Sequence, residues 1–239
     1  TYTSLPQEFF KYTEAETMPD VKLIKLNKEL ADLLNIDIGF LTSQAGLRFL
    51  SGKNSETLPN SISLAYAGHQ FGHLVPQLGD GRAVLLGDKI CQDGVRRDIQ
   101  LKGSGKTYFS RGGDGRAGIG PVIREYLISE SMHHLGVPTT RSLAVLLTGE
   151  KVVRAEVSPG AMLARVATSH VRVGTFEFFA IRNQKDHIRK LADFMIERSH
   201  PDLSDKKKKY ELFFERIVKG QSSLVAQWNS VGLFHGVMN

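Results

Sequence analysis

Between Asp98 and Glu125 the chain reads DIQLKGSGKTYFSRGGDGRAGIGPVIRE. Lys102 closes a run with strand alternation, two glycine-dense loops follow, and Glu125 falls in the first turns of a segment with helical spacing. A cation on a rigid element, backbone N–H groups bared by glycine, and a carboxylate to aim the cation are the parts that hold a polyphosphate. Such a site needs further residues to complete it and elements to position it.

Gly-Asp-Gly-Arg-Ala occurs twice, at Gly79–Ala83 and Gly113–Ala117. Glycines let successive amides point into one concavity, and a neighbouring arginine can fork onto phosphate oxygens. One copy alone reads better as a turn, because Asp-Gly is a common turn pair and arginine usually a solvated surface residue. Two identical copies flanking a strand lysine favour phosphate. Lys102 with Glu125 matches the strand-lysine and helix-glutamate pairing of protein kinases. Local features alone favour the plainer reading, a surface lysine and a first-turn glutamate suited to the helix dipole. Gly103-Ser104-Gly105-Lys106-Thr107 is not a P-loop: the upstream glycine of that pattern is missing, and glycines continue to Gly120 where a helix is required. Arg165 and Arg172, seven apart around Ser169-His170, could reach the far end of a triphosphate or bridge a lobe junction, and spacing favours neither. His69 and His73 have an i, i+4 metal-binding spacing, but two glycines in that segment argue against the helix it needs.

The elements that must position these residues follow from periodicity and punctuation. Residues 1–60 read as an N-terminal lead-in, with a helix over Asn27–Leu34 capped by Asn27 and a polar loop at Ser51–Asn60. Ala83–Leu86 and Asp98–Lys102 are strands, with Asp93-Gly94 as a turn signal between them. Alternation puts Ile99 and Leu101 on one face, and Asp98, Gln100 and Lys102 on the other, away from the core side. A helix starts at Pro121 and stops near Gly136, with Val122, Ile123, Tyr126, Leu127 and Leu135 as its apolar stripe. Ser142–Thr148 and Lys151–Val157 form a hairpin through Gly149-Glu150, and Ala161–Ala167 another strand. Phe176–Ile181, Lys185–Arg198 and Tyr210–Val231 are helical. The fold class is α+β: a β-rich lobe with one embedded helix over residues 61–170, then the beginning of a helical lobe over 171–239, joined near Thr168–Gly174. The loop-like end at Gly232–Asn239 suggests a cut inside a domain.

Composition narrows the classes. The chain has 239 residues, 41% apolar and 23% charged, ordinary for a soluble globular protein of one or two domains. No apolar run is long enough for a bilayer span, and no secretory signal pattern opens the chain. Its one cysteine, Cys91, excludes an internal disulfide and reads as a buried small residue. The net charge of +6 invites nucleic acid, but much of the excess sits in Lys206–Lys209, a solvated run without interleaved aromatics. Neither nucleic acid nor a membrane is expected as a partner.

Four strings bring these features together: YAGHQFGHLVPQLGDGRAVLLGD; DIQLKGSGKTYFSRGGDGRAGIGPVIREYLISESMHHLGVPTTRSLAVL; RVATSHVRVGTFEFFA; and the terminal VGLFHGVMN. In order and spacing, from about Tyr66 to Asn239, the chain resembles the selenoprotein O family, whose bacterial members are YdiU-type proteins. Departures are small: Tyr108 stands where the family usually has proline, and Phe234 where it often has cysteine.

The resemblance implies a protein-kinase-like bilobal fold that transfers AMP instead of the terminal phosphate. ATP is bound in a flipped orientation, pyrophosphate leaves, and the acceptors are serine, threonine and tyrosine hydroxyls of proteins. Carried over by position, Gly79, Gly81 and Arg82 lie in the first nucleotide loop, and Lys102 binds phosphate with Glu125 as its orienting partner. Asp114 and Gly115 are further ATP contacts, and Arg165 and Arg172 grip the outer phosphates. The catalytic base and the Mg²⁺ ligands of the family belong to strings that follow HGVMN, so none is expected up to Asn239, and the 239 residues alone are expected to be inactive. A non-catalytic ATP-binding pseudokinase scaffold is the alternative. The implied location is the bacterial cytoplasm, or mitochondria if a targeting segment was removed.

Overall fold

The structure, a computed structural model, describes residues 1–53, 60–70 and 72–236. Most of the loop expected at Ser51–Asn60, Phe71 between the two histidines, and the last three residues of the terminal string lie outside the described residues. Ten strands and seven α-helices follow one another among those described. They run β1 (Phe10–Tyr12), β2 (Lys22–Leu26), α1 (Lys28–Leu33), α2 (Ile38–Thr42), α3 (Gln44–Leu50), β3 (Ile62–Leu64), β4 (Gly68–Gln70) and β5 (His73–Val75). Then come β6 (Ala83–Ile90), β7 (Arg96–Lys102), β8 (Ala117–Gly118), α4 (Ile119–His134), β9 (Arg141–Val153), β10 (Val157–Ala167), α5 (Val173–Ala180), α6 (Lys185–Ser199) and α7 (Lys209–Ser230). The chain is thus mixed α and β around one large antiparallel sheet.

The chain divides into two compact units: residues 1–65, 78–135 and 139–170 form one, and residues 66–77, 136–138 and 171–239 the other. The first holds the sheet, in the order β1-β3-β6-β7-β10-β9-β2, with β8 pairing β10. The stretch read as a lead-in supplies both edge strands, β1 against β3 and β2 against β9. It also supplies α1–α3, whose Leu30, Ala31, Leu34, Leu41 and Leu50 bury against Val84, Leu86, Leu101, Leu146 and Met162 on one face of the sheet. Asn27 caps α1 as expected, its side chain accepting the Leu30 N–H at 3.1 Å. On the other face α4 lays Val122 against Val145, Ala161 and Leu163, with Ile119 and Tyr126 packed beside them.

The β9–β10 turn lies between Val153 and Val157, not at Gly149-Glu150. Gly149 takes φ +76° inside β9, where the register jumps between Pro159 and Ala161: the Gly-Glu pair is a bulge, for which left-handed backbone is equally apt. The inward face of α4 likewise matches the expected apolar stripe only in part, at Val122 and Tyr126. Ile123, Leu127 and Leu135 are exposed, whereas Val122, Glu130 and Met132 are buried. The apolar residues outnumber the inward positions, and the sheet below asks for carboxylates at two of them.

In the second unit α5, α6 and α7 form the helices expected, and Phe176, Ala192, Met195, Ile196, Leu203 and Phe213 make their core. The β4–β5 hairpin pairs Gln70 with His73, so His69 and His73 are not on a helix. No described helix is long and apolar enough to cross a membrane.

Candidate functional site

Alternation along β7 turns Gln100 and Lys102 to one side, the α4 side, which the sequence reads as facing away from the core. That side is itself covered: Gln100 is fully buried, and the Lys102 side chain is only 22% exposed. Cross-strand register then decides the neighbours, since paired residues put their side chains on the same face. Leu163 of β10 lies opposite Lys102, and Arg165 opposite Gln100. Glu125 comes down from the second turn of α4 and divides its carboxylate between them. Lys102 Nζ donates to Oε2, and Arg165 Nη1 donates to Oε1 at 3.0 Å. Arg165 Nε also donates to Gln100 Oε1 at 2.8 Å, and Gln100 Nε2 donates to Asp80 Oδ2 at 2.9 Å. Asp98, next on this face, accepts the backbone N–H of His170 at 2.8 Å.

Positive charge is in surplus here. Lys102 is pushed below the usual lysine range, chiefly by burial and then by Arg165, with Arg82 adding to it; the Glu125 partner does not offset them. Burial would raise Glu125, but Arg165 and Lys102 outweigh it and hold the carboxyl below its ordinary value. Two cations thus share Glu125, with Arg82 in electrostatic reach of Lys102 and Asp80 one step further along the network. The exposed guanidinium of Arg82 makes no ion pair among the described residues. The arrangement suits a multiply charged anion, which would relieve the mutual repulsion of the cations.

Farther along α4 a second glutamate behaves differently. Glu130 is buried, with Arg141 Nη2 at 2.8 Å, the Ser142 N–H at 2.8 Å and Asn27 Nδ2 at 2.7 Å all donating to it. Burial would raise its pKa, but these donors, Arg141 first, hold the carboxyl below its ordinary value. One arginine answers one carboxylate, so this cluster is a clamp tying α4 to β9 and to the cap of α1.

The glycine loops pack mostly on themselves. The N–H groups of Gly103, Gly105 and Gly113 go to the carbonyls of Arg82, Gly115 and Ser110, at 2.7, 3.1 and 2.8 Å. Those three amides are used inside the loops, and the open concavity expected is correspondingly reduced. Gly79, at φ +59°, lies where a Cβ would come 2.2 Å from the Phe109 ring; Gly81 faces the Phe109 carbonyl. Gly115, at φ +68°, would put a Cβ 1.9 Å from the Gly105 carbonyl oxygen. Asp114 is held by Arg154 through two 2.8 Å bonds.

Among the residues expected at the site, the structure brings Lys102, Glu125 and Arg165 into direct contact, with Arg82 in electrostatic reach. Arg172 belongs to the second unit, where it precedes α5, its guanidinium 4.8 Å above the Tyr66 ring. No group of three or more His, Cys, Asp or Glu suited to a metal ion occurs among the described residues. Sequence reasoning missed Gln100 and Asp80. The sequence puts Gln100 on the face away from the core, so the signal was confined to residue type: an amide inside a strand, and an aspartate between two glycines.

A family model described as "Protein adenylyltransferase SelO" matches residues 1–239. The "Protein nucleotidyltransferase YdiU" of Rhodopseudomonas palustris strain BisB5 is 53% identical over all 239 residues, which cover 49% of that relative. The protein of the same name from Bradyrhizobium diazoefficiens is 54% identical over 239 residues, covering 49% of it. That from Alkalilimnicola ehrlichii is 53% identical over 239 residues, covering 48% of it. The chain spans about half the length of the curated relatives it matches.

Proposed function

We propose that this chain, which belongs to the SelO family, carries the nucleotide-holding part of a protein adenylyltransferase that moves AMP from ATP to serine, threonine or tyrosine hydroxyls of proteins. The observation that carries the reading is the cationic surplus around Glu125: Lys102 and Arg165 share one carboxylate, and Arg82 stands exposed beside them. Phosphoryl and nucleotidyl chemistry depends on positioning and on neutralising oxygens, and a lysine fixed by a helix glutamate does both. A protein-kinase-like fold and a flipped ATP belong to the same proposal, and a flipped ATP is why arginines would be needed at the outer phosphates. Gly79, Gly81, Asp114 and Gly115 would line the nucleotide loops, and Arg172 would add a second arginine. Mg²⁺ would neutralise the phosphates, and the described residues gather no ligand set for it.

The test pairs binding with transfer. In a full-length relative, mass spectrometry after incubation with Mg-ATP is expected to find AMP on protein hydroxyls, and Lys102→Ala to abolish it. ATP binding without any transfer would instead favour a non-catalytic pseudokinase scaffold. The 239 residues alone are expected to bind ATP and leave proteins unmodified; AMP on protein in that sample would overturn the division of labour.

A further inference from the structure

Gln100 is a fully buried polar side chain in the middle of the sheet, with Leu85 opposite it on β6. An apolar residue would serve the fold there at less cost, because a buried amide must have both ends satisfied. Both ends are used. Its carbonyl oxygen accepts from Nε and Nη2 of Arg165, and its NH2 donates to Asp80. A guanidinium only donates, so the carbonyl end must face Arg165, and the NH2 end then meets the Asp80 carboxylate. Asp80 is buried and also accepts the Leu64 N–H at 3.2 Å, which anchors this end of the relay to β3.

Arg165 has five N–H donors. Gln100 takes one on Nε and one on Nη2, and Glu125 takes one on Nη1, so one on each terminal nitrogen has no partner among the described residues. Freed from Gln100, the guanidinium would close on Glu125 in the two-pronged geometry that arginine and carboxylate prefer. Both oxygens of Glu125 would then serve Arg165, and Lys102 would have to share Oε2 with it. We propose that Gln100, held by Asp80, is a positioning residue that presents the unpartnered edge of Arg165 to the phosphates of a bound nucleoside triphosphate. The inference rests on the nucleotide reading above and adds two residues to it that touch no ligand themselves.

Calorimetric titration of the 239-residue chain with ATP and with AMP, alongside thermal melts, tests it. For Gln100→Met, which keeps length but neither accepts nor donates as the amide does, ATP affinity is expected to fall about 10- to 100-fold, the worth of a hydrogen bond to a charged group. AMP affinity is expected to change by less than about threefold, a shift under 1 kcal/mol. Equal losses for ATP and AMP would mean a structural role and overturn the proposal, as would unchanged ATP affinity. Should Gln100→Met fail to fold, Asp80→Asn keeps the buried amide in place and weakens its hold. The same selective loss for ATP is expected, and its absence overturns the relay. If the unmodified chain binds no ATP at all, the nucleotide reading itself falls and takes the relay with it; ATP binding with an unmoved ATP-to-AMP ratio removes the relay alone.

Discussion

The two Gly-Asp-Gly-Arg-Ala copies are identical in sequence and opposite in structure. In the first, Asp80 is buried, 3% exposed, and Arg82 stands in solvent. In the second, the Asp114 side chain is 46% exposed, while Arg116 turns inward at 16% and bridges Glu16 at 2.7 Å and Glu150 at 2.8 Å. Even the strained glycine changes place: the first position is left-handed in one copy, at Gly79, and the third in the other, at Gly115. A pentapeptide has too few contacts to choose its own inside. The first copy runs directly into β6 beside Gln100, so its aspartate meets a donor; the second leads into β8, where two glutamates receive its arginine. Among the described residues, only the first copy leaves its arginine without an ion pair, next to Lys102, so it is the copy expected to offer charge to a ligand.

Substitutions at matched positions should therefore give unmatched results. The largest effect is expected from Asp80→Ala, which strands the Leu64 N–H and the Gln100 NH2. Two buried donors without acceptors cost about 2–5 kcal/mol, measurable by denaturant unfolding, whereas Asp114→Ala is expected within about 1 kcal/mol of the parent chain. Comparable losses would erase the contrast. Arg116→Ala comes next, at about 1–3 kcal/mol, because it leaves Glu16 and Glu150 facing each other without their cation. Arg82→Ala, its counterpart, is expected to leave the melting temperature in place and weaken ATP about tenfold, close to 1.4 kcal/mol. Binding that is insensitive to Arg82 would break the comparison from the functional side.

The smallest effect concerns acid. Arg154 first, then the Arg116 N–H, draw the Asp114 carboxyl down to about 2, burial opposing them. Its folded pKa is depressed, so whatever stability the pair contributes is present above the ordinary 3.8 and is lost as pH falls through about 2. NMR titration of the Asp114 carboxyl should find that value in the parent chain and a return toward 3.8 in Arg154→Ala. No movement would mean the pair does not persist in solution.

Local chemistry was legible wherever it was decided within a few residues. The cap at Asn27, the β6–β7 hairpin around Asp93-Gly94, and the helical spacing of α6 and α7 depend on nearby backbone and could be read directly. Lys102 and Glu125 were legible as chemical types at a meaningful spacing, and the structure brings them together. The inward face of α4 was not legible. Counting apolar residues selected Ile123 and Leu127, while the helix turns Glu125 and Glu130 toward cations arriving from β7, β10 and β9. Gly149 was misread for a related reason: left-handed glycine suits a turn or a bulge alike, and pairing with β10 selected the bulge.

From its residues alone the chain settles which elements it can form and which charges it has to dispose of, because propensity, capping and periodicity act over a turn or a strand. Which aspartate is buried, which arginine stays free, and whether Gln100 is filler or a brace depend on partners 20 to 65 residues away in sequence. Those partners meet only through sheet register and helix crossing. Burial then multiplies the consequence, since an unpaired polar group costs little in water and several kcal/mol beneath a helix.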